Sequence, residues 1–398
     1  MSVKNEEIKK ASLKLHRKLK GKIEISNKME VTSTEELSLV YSPGVAEPCL
    51  EIEKDKNLAY ELTMKGNSVA VVSDGSAVLG LGNIGATASI PVMEGKAMLF
   101  KKFANIDAFP ICLDTQNVDE IVETVKRIAP VFGGVNLEDI SAPRSFEVEE
   151  RLQGIGIPVF HDDQHGTAIV TLAGLINAAK VVGKKLEDLK VVINGAGAAG
   201  IAIARLLRCI SLDPSICIPV KRIVVCDSKG IIHRERQDLT EAKTELLKYS
   251  NKLNIQGSLK EAIANADVFI GVSVGNILSK EDIETMADNP IIFALANPTP
   301  EVSPDEAKQG GAAVVATGRS DYPNQVNNVL AFPGIFRGAL DARAPSITPE
   351  MKLAAAYAIA DALPNPTRDK IIPPSLDESI TKRVAEAVFE SHSKSQIE

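Results

Sequence analysis

From Val69 to about Phe160, short apolar runs alternate with helical stretches. VAVVS starts at Val69, IDAFPICLD at Ile106 and IPVF at Ile157, and Val118 to Ala129 has helical spacing between the last two. This is βαβ punctuation, and it predicts a mainly parallel sheet with helical crossovers. Thr167 to Val182 is a continuous apolar helix with few charges, predicted to be buried between two halves of the chain. A second series then begins with a strand at Lys190 to Asn194, a glycine turn, a helix to about Arg208 and a strand at Arg222 to Asp227. A polar helix near Thr240 to Lys248 follows, then strands at Val268 to Val272, Ile291 to Leu295 and Ala313 to Ala316. That order suits a doubly wound nucleotide-binding domain. Pro349 to Ser391 reads as two helices around a linker holding Pro364, Pro366, Pro373 and Pro374. The expected fold class is therefore α/β with two domains: 1–165 an N-terminal α/β domain, 166–345 a Rossmann-type domain, and 346–398 C-terminal helices packing back on the core. Residues 4 to 22 are lysine-rich with Ile8, Ala11, Leu15 and Leu19 on one helical face; Glu6 and Glu7 argue against a transit peptide, so this helix is expected to pack on its own protein or on a partner subunit.

Composition narrows the class. A chain of 398 residues exceeds the usual single core, and 44% hydrophobic with 24% charged residues is ordinary globular usage. The net charge of −7 opposes binding to nucleic acid or anionic lipid, so neither is an expected partner. Apolar stretches such as Ala168 to Ala173 and Ile291 to Ala296 are too short to span a bilayer, and no hydrophobic signal core stands at the N-terminus; no membrane association and a cytoplasmic location are expected. Cys49, Cys112, Cys209, Cys217 and Cys226 are odd in number and contain no CxxC pair, which predicts reduced thiols rather than a disulfide framework or a zinc site.

Gly195, Ala196, Gly197, Ala198, Ala199 and Gly200 follow the strand KVVIN directly and open an alanine-rich helix. In a dinucleotide loop the first glycine makes the turn, the second admits the pyrophosphate and the third lets helix and strand pack closely. A lone GxGxxG is weak, and the chain has a second at Gly80, Gly82 and Gly85. The later motif has a strand immediately before it and Asp227 ending the next strand, where ribose hydroxyls of NAD would be held. The earlier one is separated from its strand by DGSAVL and reads as a tight loop that can still face a substrate.

Glu138 and Asp139 in VNLEDI, and Asp162 and Asp163 where the strand before HGTA ends, are paired acids at the strand ends where α/β sheets bind ligands. Converging carboxylates repel unless a cation joins them, and an all-oxygen set suits Mg²⁺ or Mn²⁺; solvated charge pairs are the alternative. His161 and His165 lack the glutamate of HExxH and read as loop or packing residues. Lys96 in PVMEGKAMLFK is either a surface lysine with a buried stem or a desolvated base whose pKa burial or a metal would lower. Tyr41, in the turn YSPGVAEP, is either a proton donor or a core cap.

These segments together resemble the malic enzyme family, specifically its short microbial members. The resemblance is carried by YSPGVAEP from Tyr41, SDGSAVLGLGNIG from Ser73, PVMEGKAMLFKKFANIDAFP from Pro91, NLEDI from Asn136, FHDDQHGTA from Phe160, the GAGAAG loop, ANPTPE from Ala296 and NNVLAFPG from Asn327. It implies oxidative decarboxylation of malate to pyruvate and CO₂, with reduction of NAD or NADP and a requirement for Mg²⁺ or Mn²⁺. By the same resemblance Lys96 is the base at the malate hydroxyl, Asp162 supports it, Tyr41 protonates the enolpyruvate carbon, and Glu138, Asp139 and Asp163 are the metal ligands. Asn297 and Asn328 are the implied contacts to substrate and nicotinamide. Ala77 stands where longer eukaryotic members have a carboxylate-binding arginine, so another donor must act there. Asp227 would give a modest preference for NAD over NADP, against which Lys229, His233, Arg234 and Arg236 could neutralise a 2′-phosphate. The family is generally oligomeric, and in some short members the tyrosine segment completes a neighbour's site, so a homodimer or larger homo-oligomer is expected. The rivals are a malolactic enzyme releasing lactate, an amino-acid dehydrogenase, and a nucleotide-sensing regulatory protein with a decayed site.

Overall fold

A computed structural model describes residues 3–78 and 80–395, and it contains one parallel and one mainly parallel sheet joined by one apolar helix. The first sheet has four strands in the order β2-β1-β3-β4: β1 (Ser68–Ser73), β2 (Asp107–Cys112), β3 (Gly134–Leu137) and β4 (Val159–His161), all pairing in parallel. Parallel neighbours need crossovers, which the helices Gly85–Ala104, Val118–Ile128 and Arg144–Leu152 supply. β1, β3 and β4 are buried throughout because both faces are covered, so they read as unbroken apolar runs rather than alternating ones.

The second sheet runs β10-β9-β8-β5-β6-β7, with β5 (Lys190–Asn194), β6 (Arg222–Asp227), β7 (Gly230–Ile231), β8 (Val268–Gly271), β9 (Ile291–Ala294) and β10 (Val314–Thr317). The order reverses around β5, which makes the switch point of a doubly wound sheet. The edge beyond β6 is held by the short β7, paired antiparallel with β6 through a tight turn at Asp227 to Gly230.

Helix Thr167–Val182 lies between the sheets, with Ile169, Val170, Ala173, Leu175 and Ala178 fully buried. The span Asp162–Val182 is long and apolar enough to cross a bilayer, contrary to the expectation from shorter runs; most of its apolar window is buried inside the chain, as a core helix requires. Gly174 lets this helix approach β9 closely, since a Cβ would sit 3.2 Å from the ring of Phe293. Helices Pro349–Asp361 and Glu378–Ser395 close the core, joined to it by Asn177, whose amide donates to the carbonyls of Ala360 and Ile371 at 3.0 Å each.

One expectation changes here, and another narrows to one of its two alternatives. Cys209 and Cys217 form a disulfide across the loop after the first Rossmann helix, so those thiols are not free; Cys49, Cys112 and Cys226 are. Eight residues apart, the pair shows no motif in the sequence, and only the return of the loop brings the two together. The helix Val3–Leu19 leaves Ile8, Leu13, Leu15 and Leu19 more than half exposed, so its apolar face does not pack on this chain. The next helices, Thr34–Val40, Ala46–Lys54 and Ala59–Leu62, contain no buried residue either.

Candidate active site

Glu138 and Asp139 follow β3, Asp162 and Asp163 follow β4, and the two strands pair with Leu137 opposite His161. That register puts the two acid pairs side by side at the carboxyl edge of the sheet, where the dipeptides are 24 residues apart in sequence. One carboxylate oxygen from each of Glu138, Asp139 and Asp163 lies within 4.8 Å of the others, and the backbone N–H of Asp139 donates to Asp163 at 2.8 Å. Asp139 takes a positive φ of 54°, which turns the backbone sharply after Glu138. Asn136, two residues before Glu138 and therefore on the same side of the strand, donates to it at 2.8 Å. That period-two spacing was a signal the sequence carried.

Lys96 reaches this edge from helix Gly85–Ala104. Its Nζ lies 2.6 Å from Asp162, 2.8 Å from Glu138 and 4.1 Å from the ring centroid of Phe332. It is therefore no surface lysine: its side chain is 10% exposed. Burial disfavours the ammonium, but the Asp162 and Glu138 carboxylates bonded to it outweigh burial and hold the Lys96 pKa above the ordinary lysine value. This corrects the expected downward shift. The run around Lys96 is apolar, yet its tip meets acids from two other elements. Burial, joined by Asp163, Asp162 and Asp139, raises Glu138 well above the usual carboxylate range although Lys96 opposes it. One ammonium against four clustered carboxyl groups leaves a surplus of negative charge, and an all-oxygen donor set of this kind fits a hard divalent cation.

Asn328 donates to the same Asp162 oxygen at 3.0 Å and accepts from Thr167 at 3.2 Å, so the structure brings it to the Lys96–Asp162 pair. Asn297 is exposed and lies across the domain seam from the earlier glycine motif, where a Cβ on Gly80 would come within 2.3 Å of the Asn297 carbonyl. Gly80, Gly82 and Gly85 all have φ near +77°, the conformation that makes this tight loop. Tyr41 is not brought to the cluster: it ends helix Thr34–Val40 and is 68% exposed.

The later glycine motif has the geometry of a dinucleotide turn. Gly195 has φ +122° and stands against the Val272 carbonyl, Gly200 packs so closely that a Cβ would lie 1.7 Å from the Gly195 carbonyl, and Gly197 faces open space before helix Ala198–Leu207. Ala196, Ala198 and Ala199 complete the turn and the first helical residues. Asp227 ends β6 as expected, but both its oxygens are engaged. Arg236 donates to them at 2.8 and 3.0 Å, Lys243 at 2.6 Å and the backbone N–H of Lys229 at 2.9 Å. Burial opposes its charge, and these bonds bring its pKa down to about 2. Arg236 is among the cations that follow Asp227 closely in sequence, whereas Lys243, 16 residues on, is not.

Comparison with known proteins follows this division. Residues 20–153 match the family model described as malic enzyme, N-terminal domain, and residues 164–393 match malic enzyme, NAD binding domain. The chain belongs to the malic enzyme family. Among relatives, this malic enzyme is 57% identical over 385 residues to a bifunctional malic/malolactic enzyme of Bacillus subtilis (strain 168), covering 96% of this chain and 92% of that protein. It is 56% identical over 374 residues to an NAD-dependent malic enzyme of Geobacillus stearothermophilus, covering 93% and 76%. An NADP-dependent malic enzyme of Haemophilus influenzae is 52% identical over 89% of this chain, which matches 46% of that longer protein. The crystal structure of an NAD-dependent malic enzyme from Thermotoga maritima superposes with a TM-score of 0.90 at 49% identity, covering 95% of this chain and 98% of the other.

Proposed function

We propose that this malic enzyme oxidises malate and decarboxylates the product to pyruvate and CO₂, reducing NAD or NADP, with a divalent metal ion required. The observation that carries the reading is the Lys96–Asp162–Glu138 constellation beside Asp139 and Asp163 at the carboxyl edge of the first sheet. Glu138, Asp139 and Asp163 would hold Mg²⁺ or Mn²⁺, which when bound supplies Lewis-acid polarisation of the malate C2 oxygen. Lys96, left neutral where a divalent cation offsets the carboxylates that raise its pKa, receives the hydroxyl proton, and Asp162 and Asn328 fix the position of its Nζ. The Gly195–Gly200 turn and the helix N-terminus after Gly197 hold the dinucleotide pyrophosphate. Asn297 and Asn328 flank the space where substrate and nicotinamide meet. Tyr41 protonates the C3 carbon after CO₂ leaves; its exposure in this chain supports its acting in a neighbouring subunit of a homodimer or larger homo-oligomer. The modest preference for NAD is retained, and the Arg236 and Lys243 contacts to Asp227 make it small, since they offset repulsion of a 2′-phosphate. A cytoplasmic location is part of the same proposal.

Release of lactate is a second reading, favoured by the bifunctional name of the Bacillus subtilis relative. Incubation of malate with substoichiometric NAD, followed by assay of pyruvate, lactate and NADH, separates the two. Pyruvate in equal amount to NADH supports the first reading, and lactate exceeding the NAD added overturns it.

A further inference from the structure

The two acids Asp162 and Asp163 sit in a π-helical turn, Asp162–Gly166, that has no side-chain cap at its start. Such a turn is a wide, weakly bonded piece of backbone, found mostly at functional sites, and it needs support from outside itself. Behind it lies Glu149, on helix Arg144–Leu152, with only 9% of its surface exposed. The His161 backbone N–H donates to Glu149 at 3.4 Å and the Gln164 side chain at 3.0 Å, while His165 Nε2 lies 2.8 and 3.0 Å from its two oxygens. The residues on both sides of the acid pair thus face Glu149, and the acids between them face Lys96 and Glu138.

We propose that Glu149 is a positioning residue for the metal site, gripping His161, Gln164 and His165 so that Asp162 and Asp163 are held at the angle the ion requires. The inference rests on the reading of Glu138, Asp139 and Asp163 as metal ligands. Glu149 belongs to the first domain, and its counter-charge comes across the seam from Lys352 on helix Pro349–Asp361, whose Nζ stands 6.0 Å from the centroid of the Phe160 ring. Burial works against the Glu149 carboxylate, but His165 and Lys352 outweigh it and bring its pKa to about 2, so it is an anion that accepts every bond offered. Glu149, His165 and Lys352 line a cavity of about 550 Å³ between the domains, behind the acid turn. No motif marks Glu149 in the sequence.

The test is Mn²⁺ binding to the full chain, without malate or dinucleotide, by titration calorimetry with thermal melts alongside. The variants are Glu149→Leu, Glu149→Gln, Glu150→Ala as an exposed control on the same helix, and Asp163→Asn as a ligand control. Glu149→Leu should weaken Mn²⁺ binding by about 10–100-fold, the usual effect of removing a group that orients a ligand. Glu149→Gln, which keeps one acceptor oxygen, should fall between Leu and the wild type. Glu150→Ala should bind as the wild type does. In turnover, the Mn²⁺ concentration for half-maximal rate should rise in both Glu149 variants with a smaller fall in kcat. If Asp163→Asn abolishes binding while folded Glu149→Gln and Glu149→Leu bind within about twofold of wild type, the positioning role is wrong. If Glu149→Leu does not fold, the Gln variant decides. Failure of the wild type to bind, or unaltered binding by Asp163→Asn, overturns the metal reading itself and the role of Glu149 with it.

Discussion

Lys96 is held by three neighbours of different kinds, the Asp162 and Glu138 carboxylates and the Phe332 ring, which fix the position of its Nζ more firmly than charge alone would. Lys96→Ala is expected to lower malate oxidation by roughly two to four powers of ten, the usual worth of a positioned base. Tyr41→Phe should leave reduction of oxaloacetate largely intact and slow conversion of enolpyruvate to pyruvate. Measuring both partial reactions in both variants, with folding checked, tests this division; equal loss of oxaloacetate reduction contradicts it. Glu149 offers a pH test. Its folded pKa of about 2 lies below the ordinary value for glutamate, so the unfolded chain binds more protons as pH falls. The stabilisation, on the order of 3 kcal/mol, is therefore full above about pH 4.5 and is lost as pH falls toward 2. The stability gap between wild type and Glu149→Gln in urea melts should be wide at pH 7 and narrow at pH 3; a constant gap refutes the assignment. Of these residues, Lys96 was visible in the sequence as an odd charge in an apolar run, but the direction of its pKa shift was not. Desolvation is read from neighbours in sequence, whereas the opposing carboxylates arrive from β3 and β4.

At the scale of elements, the glycine turn was the most legible feature, because each glycine answers a local steric demand. Gly200→Ala places a Cβ 1.7 Å from the Gly195 carbonyl, so the turn must shift. A loss of about 1–3 kcal/mol in stability is expected, with raised KM for both NAD and NADP and unaltered Mn²⁺ binding. A melt and dinucleotide kinetics on that variant check it, and unchanged KM values contradict the placement of the pyrophosphate. The ribose end was less legible. Asp227 ends its strand as expected, but its partners Arg236 and Lys243 come from the turn and helix beyond β7, and only the hairpin brings them back. Arg236→Ser should shift the ratio of kcat/KM values toward NAD by exposing the carboxylate to a 2′-phosphate; a shift toward NADP would oppose that reading. The pairing of β3 with β4 was likewise beyond sequence reasoning, since two acid dipeptides do not announce which strands adjoin.

At the scale of the whole molecule, among the described residues, the helices up to Leu62 bury no side chain and expose Leu37, Leu39, Val40 and Tyr41. Sequence patterning found the apolar face of helix Val3–Leu19 but could not assign its cover, because a helix face carries no address for its partner. Sedimentation should show a dimer or larger assembly. Mixed and reassociated Tyr41→Phe and Lys96→Ala chains should regain about a quarter of wild-type activity if Tyr41 serves a neighbouring subunit, as random pairing of a twofold dimer requires. No recovery after confirmed exchange of subunits contradicts that arrangement. The two sheets, the dinucleotide turn and the acid cluster meet in a single reaction only if malate, metal and NAD or NADP act together. Malate turnover with each dinucleotide, before and after chelation and with Mn²⁺ restored, tests this most directly. Pyruvate and reduced dinucleotide should form in equal amounts, cease on chelation and return with Mn²⁺; full turnover in the chelated enzyme would contradict the assignment.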